Sequence, residues 1–188
     1  MRYIYLIVIV FSAINLQGCF PVVAIGAGTG VLMTEDRRTS GTFIEDQGID
    51  LKASNRLGEK FKDTIHVNIT SYNRTVLMTG EVPTEAVKQE AEKIVRGVPN
   101  VGNVLNELVI AGNSNYTSRS NDTYLTSKVK VRFVDMAKFQ ANHVKVVTES
   151  NVVYLLGLVT RKEAENAVEI ARTTSGVQKV VKLFEYID

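Results

Sequence analysis

The sequence predicts an α+β fold made twice over: two tandem copies of a small α-β-β-α-β unit, each a mixed sheet with helices packed on one face. Two observations predict it. The chain repeats itself, since Ile65-His66-Val67-Asn68-Ile69-Thr70 aligns with Asn142-His143-Val144-Lys145-Val146-Val147, and Val76–Val82 with Val153–Val159, at one offset of 77 residues. Within each copy, the apolar residues also switch between the period of two expected of strands and the 3.6-residue period of helices.

The chain opens on Arg2 and an apolar run from Tyr3 to Leu16. This pattern reads as a secretory signal whose apolar stretch is too short to span a bilayer. It ends at Leu16-Gln17-Gly18-Cys19, where small Gly18 suits cleavage just before the cysteine. The Leu-x-Gly-Cys pattern resembles the lipobox of bacterial lipoproteins. The resemblance implies a signal peptide over 1–18, lipidation of Cys19, and sorting to the outer membrane, because Phe rather than Asp stands at position 20. Several acyl chains on one residue make a stable anchor, where one chain binds only marginally. Cys19 is the only cysteine, so no internal disulfide can form, and lipidation accounts for its solitude.

Residues 19–47 are expected to form the lipidated N-terminus and a tether, because no stable apolar period runs through them. Gly26-Ala27-Gly28-Thr29-Gly30 has the glycine spacing of a phosphate loop. It lacks a preceding strand, and no Lys-Ser or Lys-Thr pair follows, so it reads as tether.

The first unit is assigned to 48–111 and the second to 122–188. Each starts with a helix, about Asp50–Phe61 and Tyr124–Phe139. Alternating Val67/Ile69 and Val144/Val146 mark a first strand. Polar turns at Ser71–Arg74 and Glu149–Asn151 lead into second strands, Val76–Gly80 and Val152–Gly157. Pro83 and Thr84 open the next helix in one copy; Thr160-x-x-Glu163 is a capping box in the other. Val87, Ala91, Ile94 and Val95 share one face of that helix. A third strand closes each unit, Val101–Ile110 and Val177–Ile187. Between the units, 112–121 is rich in Gly, Asn, Ser and Thr and reads as a flexible linker.

These residues resemble the BON domain: a glycine after the second strand (Gly80, Gly157), the valine that follows (Val82, Val159), and the Gly-Val or Asn-Val before the last strand. With the lipobox, the arrangement resembles outer-membrane lipoproteins that carry two BON domains, with Asn121–Val129 and Leu156–Thr160 as the closest stretches. The resemblance implies domains facing the periplasm and a second BON domain that binds anionic phospholipid through its first helix. It also implies a role in envelope integrity, with action at division sites. Those relatives carry Trp where this chain has Tyr124, another residue suited to the membrane interface.

The charge pattern of the leading helices bears on the same point. Four basic and three acidic residues lie between Asp50 and Asp63, against four basic and one acidic between Leu125 and Lys138. On a helical wheel Leu125, Val129, Phe133 and Met136 share a core face. Tyr124, Lys128 and Val131 lie on another stripe, flanked by Val134 and beside Lys130 and Arg132. The expected membrane-binding set is therefore Tyr124, Lys128, Val131, Arg132 and Val134; contact with the first domain, or a merely solvated helix, is the other reading of that face. An interaction scaffold for envelope assembly or peptidoglycan-remodelling proteins is the alternative function. The net charge of +2 argues against nucleic acid as a partner. His66 and His143 hold equivalent strand-end positions, with no cysteine or second histidine in their units to make a metal set. No catalytic constellation, metal or cofactor is expected.

Replacing Cys19 with Ala should abolish acylation and release the protein from the membrane or leave it unprocessed. Labelled-palmitate incorporation and membrane fractionation measure this, and lipid on the variant would rule out the lipobox.

Overall fold

The computed structural model describes residues 36–112, 114 and 116–188. The signal segment, Cys19 and the tether as far as residue 35 lie outside the described residues. Helix α1 (Ser40–Phe61) leads into β1 (His66–Tyr72), β2 (Thr75–Val82), α2 (Glu85–Arg96), β3 (Asn103–Asn106) and β4 (Val109–Ile110). The second unit repeats the order as α3 (Tyr116–Met136), β5 (Lys145–Glu149), β6 (Val152–Val159), α4 (Arg161–Arg172) and β7 (Lys179–Tyr186). In each unit the hairpin is antiparallel, and the strand after the crossover helix returns parallel to the second strand.

Each hairpin closes on a two-residue turn with both central residues at positive φ: Asn73 (48°) and Arg74 (64°), Ser150 (49°) and Asn151 (63°). That is the turn geometry that matches strand twist. One buried aspartate from each leading helix holds it. The carboxylate of Asp46 accepts from the Asn73 and Arg74 backbone N–H and from Ser71 Oγ, and that of Asp122 accepts from the Ser150 and Asn151 N–H. The leading helices align at an offset of 76 residues, which pairs Asp46 with Asp122.

This polar tie is why both leading helices start earlier than their apolar pattern suggests. Helix α1 begins at Ser40, inside the stretch expected as tether, capped by the Thr39 side chain, which accepts from Thr42 N–H. Its first turns are fixed by Asp46 and by Arg38, which pairs with Asp36 and Asp46 and stacks on Tyr72 4.1 Å from the ring centre. Helix α3 likewise begins at Tyr116, within the expected linker, with Arg119 donating to the Ser114 carbonyl. Neither start has an apolar stripe to announce it.

Val76, Met78 and Val82 on β2 pack with Ile49, Ala53 and Leu57 of α1 and Ala91 and Val95 of α2. In the second unit Val153, Leu155 and Val159 pack with Val129, Phe133, Ala167 and Ile170. The alternate residues of the same strands, Leu77, Tyr154 and Leu156, join Tyr72 in a third core. The sheet faces opposite the helices are thus buried against each other. The β6 run Val-Val-Tyr-Leu-Leu is apolar on both faces because both are covered.

Two expectations change. The single strand expected over Val101–Ile110 is broken into β3 and β4: Asn106 turns its side chain onto Lys88 O, Glu92 and Leu108 N–H, and Leu108 drops into the core. Met136, expected in the core, is 42% exposed. The chain reverses at Ala137 (φ 45°), and Phe139 returns to pack edge-on against Phe133 at 5.0 Å.

Gly80 and Gly157 need glycine for the same reason: a Cβ would overlap the His66 carbonyl oxygen at one and the His143 carbonyl oxygen, just before β5, at the other; Gly80 also has φ +117°. Gly157→Val should therefore destabilise the second domain by more than about 1 kcal/mol, since backbone rather than a flexible side chain must move. Thermal or urea unfolding tests this; an unchanged midpoint would show the glycine to be incidental.

Candidate functional site

Helix α3 turns Leu125, Val129 and Phe133 into the core, each at most 2% exposed. Its opposite side carries Tyr124, Val131 and Val134, exposed by 62%, 56% and 65%. Lys128 lies between them, its Nζ 5.8 Å from the Tyr124 ring centre and 3.0 Å from the Ser175 carbonyl. Lys130 is exposed beside them. Three large apolar side chains with adjacent ammonium groups thus form one outward surface.

Arg132 behaves differently. Its guanidinium donates to Ile170 O at 2.9 Å and to Thr174 and Thr173 Oγ1 at 2.7 and 3.2 Å. It closes the C-terminal end of α4, where unpaired carbonyls and the helix dipole favour a cation. Arg56, its counterpart at the 76-residue offset, donates to Gly97 O at the end of α2 in the same way. An arginine of the leading helix thus caps the crossover helix in both copies, and the Arg132 guanidinium is turned toward the end of α4.

The first described residues reach the far end of the same helix. The Arg37 guanidinium forms a fork with Glu163, at 2.7 and 2.9 Å, and donates to Leu158 O. Arg37 and Glu163 line a cavity of about 600 Å³ together with Val134, Phe139 and His143. Burial alone would raise the Glu163 carboxyl. Arg37, the backbone and hydroxyl of Thr160, and His143 outweigh it and hold the group down at about 2, against an ordinary 4.5. This is the capping-box glutamate foreseen at the start of α4; its partnership with Arg37, 126 positions away, has no local signature.

Both histidines gain carboxylate partners that the sequence does not bring near. His143 Nδ1 lies 3.2 Å from Glu163 Oε1, and His66 Nδ1 lies 3.0 Å from Glu81 Oε2 on the paired strand. Glu149, from the second unit, stands beside the latter pair. Where the two units meet, Lys145 also approaches Asp50 at 4.0 Å. Burial pushes the Asp50 carboxyl up to about 6 despite Lys145 and the Ser71 N–H. Among the described residues no helix is long and apolar enough to cross a membrane.

A hairpin, crossover helix and parallel return strand, used twice behind a paired turn-capping aspartate, define a dual-domain α+β protein whose second leading helix is apolar on its outward side as well as its buried one. The BON domain family model matches residues 45–112 and 121–188, and the chain belongs to the BON-domain family. It is 37% identical over 185 residues to outer membrane lipoprotein DolP of Haemophilus influenzae, covering 97% of this chain and 96% of that protein, and is thus a DolP-like protein with two BON domains. It is 29% identical to the 21 kDa hemolysin of Actinobacillus pleuropneumoniae over 81% of this chain and 79% of that one. It is also 29% identical to osmotically-inducible protein Y of Escherichia coli, over 74% and 72%.

The lowered Glu163 carboxyl contributes stability that is complete above the ordinary carboxylate value and is lost as pH falls from about 4.5 through about 2. Wild type should lose more thermal stability across that window than Glu163→Gln. Melting curves at pH 5 and pH 2.5 measure the difference, and parallel losses would show that the Arg37 fork adds nothing.

Proposed function

We propose that the protein is an outer-membrane-anchored lipoprotein whose second BON domain binds anionic phospholipid through the outward face of α3 and so supports envelope integrity. The observation that carries this reading is an internal comparison. The two leading helices share their buried aspartate, their capping arginine and their core positions. At the 76-residue offset, however, exposed Tyr124, Val131 and Val134 correspond to Gly48, Asn55 and Gly58 in the first domain, while Lys128 corresponds to Lys52. A Cβ at Gly48 or Gly58 would meet nothing within 4 Å, so the glycines are not there for lack of room. The same three positions are polar or bare in one copy and aromatic and aliphatic in the other, while α1 exposes Ile44 and Leu51 where α3 has Ser120 and Ser127. The clustering of Tyr124, Val131 and Val134 beside Lys128 and Lys130 is what an interfacial contact calls for.

Lys128 and Lys130 supply the attraction, each worth about 1 kcal/mol near an anionic surface. Tyr124 suits headgroup depth, and Val131 and Val134 the acyl boundary. The chain toward Cys19 adds proximity. Arg37 is held beside Val134, and the residues separating Cys19 from Asp36 span at most about 60 Å. A weak surface contact then acts as an intramolecular one. Anchoring through Cys19 to the outer membrane, with the domains on the periplasmic side, belongs to the same proposal and is supported by the named character of the DolP relative.

All three cores and the interdomain contacts described above lie within residues 36–188, so that fragment serves for vesicle flotation. Tyr124→Ala with Lys128→Glu should remove binding to anionic vesicles while leaving the unfolding midpoint within a few degrees of wild type. Added salt should weaken wild-type binding only in part, since the apolar portion is unscreened. Wild-type flotation of the double variant would reassign the face to a protein partner.

A further inference from the structure

At one end of the buried seam between the two domains lies a polar cluster. His66 and Glu81 are cross-strand partners on β1 and β2 and share the sheet face that points toward the second domain. Glu149 reaches them from the end of β5. One nitrogen or carboxylate oxygen from each lies within 4.8 Å of the others. The side chains are sequestered, His66 15% and Glu81 7% exposed, with Glu149 8% exposed as a residue.

The surroundings orient this cluster without neutralising it. Asn68 Nδ2 donates to Glu149 Oε2 at 2.8 Å, and Ser114 N–H donates to Glu81 Oε2 at 3.1 Å. Ser114 Oγ lies 3.4 Å from His66 Nδ1. Arg119 on the adjoining wall donates to the hydroxyl and carbonyl of Ser114. Glu81 and Asp122 add negative charge beside Glu149, with His66 opposing them. A cavity of about 350 Å³ lined by His66, Asn68, Thr126 and Glu149 opens the cluster to solvent.

We propose that His66, Glu81 and Glu149 form a divalent transition-metal site, of the kind that takes Zn²⁺, bridging the two BON domains. One imidazole and two carboxylates are the donor set of three-ligand zinc sites, which leave a further position for water or a hydroxyl. Zinc–ligand distances near 2.0–2.2 Å put tetrahedral donors roughly 3.3–3.6 Å apart. Closing from 4.8 Å needs only rotamer adjustment of two glutamates. The amides of Asn68 and Ser114 supply the outer hydrogen bonds that hold ligating carboxylates in orientation. The imidazole selects against Mg²⁺ and Ca²⁺, which prefer oxygen ligands. Because the donors come from both domains, the ion ties their relative orientation, and hence the setting of α3, to metal supply. The second copy has no such site: Leu158 occupies the position equivalent to Glu81.

The test uses the full chain in detergent micelles. Titration with Zn²⁺ should show about one ion per chain and a raised unfolding midpoint that chelator reverses. The chain has only two histidines, so ring-proton NMR resolves the site without altering it: zinc should shift the His66 resonances and leave those of His143, assigned through His143→Gln, in place. Glu81→Gln and Glu149→Gln should each weaken binding at least tenfold, and excess Mg²⁺ should not compete. No saturable zinc binding, a shift at His143 instead of His66, or wild-type affinity in both glutamine variants would overturn the proposal. Should either variant fail to fold, the wild-type NMR titration still decides.

Discussion

The burial of one sheet face against the other is the contact on which the rest of this protein depends. Tyr72 and Leu77 from the first domain meet Tyr154 and Leu156 from the second, each at most 5% exposed. Fully burying a large apolar side chain is worth about 1.5–3 kcal/mol. A domain of this size buries only some 60% of its unfolded surface when it stands alone. The shared seam therefore turns two marginal units into one cooperative body. It is also fastened by polar contacts, such as the Leu158 N–H donating to the Tyr72 hydroxyl at 3.3 Å and Lys145 Nζ donating to Ser71 O at 3.2 Å.

That seam decides what each helix is free to do. With the inner sheet faces used up, the helices cover only the outer faces, and one side of α1 and of α3 is left to solvent. In the first domain that side has Gly48, Asn55 and Gly58 at the equivalent positions, with Ile44 and Leu51 exposed elsewhere along it. In the second it carries Tyr124, Val131 and Val134. The two copies have the same internal mechanics: aspartate on the hairpin turn, arginine on the crossover helix. Divergence between them is concentrated where the fold places no demand.

The seam also creates chemical neighbourhoods that no single domain has. His66 and Glu81 form an ordinary cross-strand pair until the second domain adds Glu149. Asp50 is pushed up to about 6 by burial where the domains meet, with Lys145 of the second domain opposing the rise. Arg37 finds Glu163 because the first described residues lie against the second domain before the chain enters α1. Among the described residues no buried side-chain nitrogen or oxygen lacks a partner, so these charged groups are accommodated by the assembled pair of domains.

What the sequence determined by itself was whatever repeats or oscillates. The 77-residue offset, the alternation at Val67/Ile69 and Val144/Val146, and the capping box at Thr160 yielded the unit, its order and the exposed stripe of α3, because periodicity records which side of an element meets the core. Helix starts at Ser40 and Tyr116 were not legible that way, since a buried aspartate in each helix, with a threonine cap at the first, holds them rather than a stripe. The broken last strand of the first domain turned on one asparagine side chain. Arg132 read as one more surface cation, though its match with Arg56 at the 76-residue offset was there to signal a shared cap. Only the tertiary structure decided the sheet-to-sheet seam, the Arg37–Glu163 fork and the meeting of His66, Glu81 and Glu149. Long-range contacts of this kind join residues many tens of positions apart, and neither propensity nor period carries information over that distance. They are set when two apolar faces, each already formed, find in one another the cover that water does not provide.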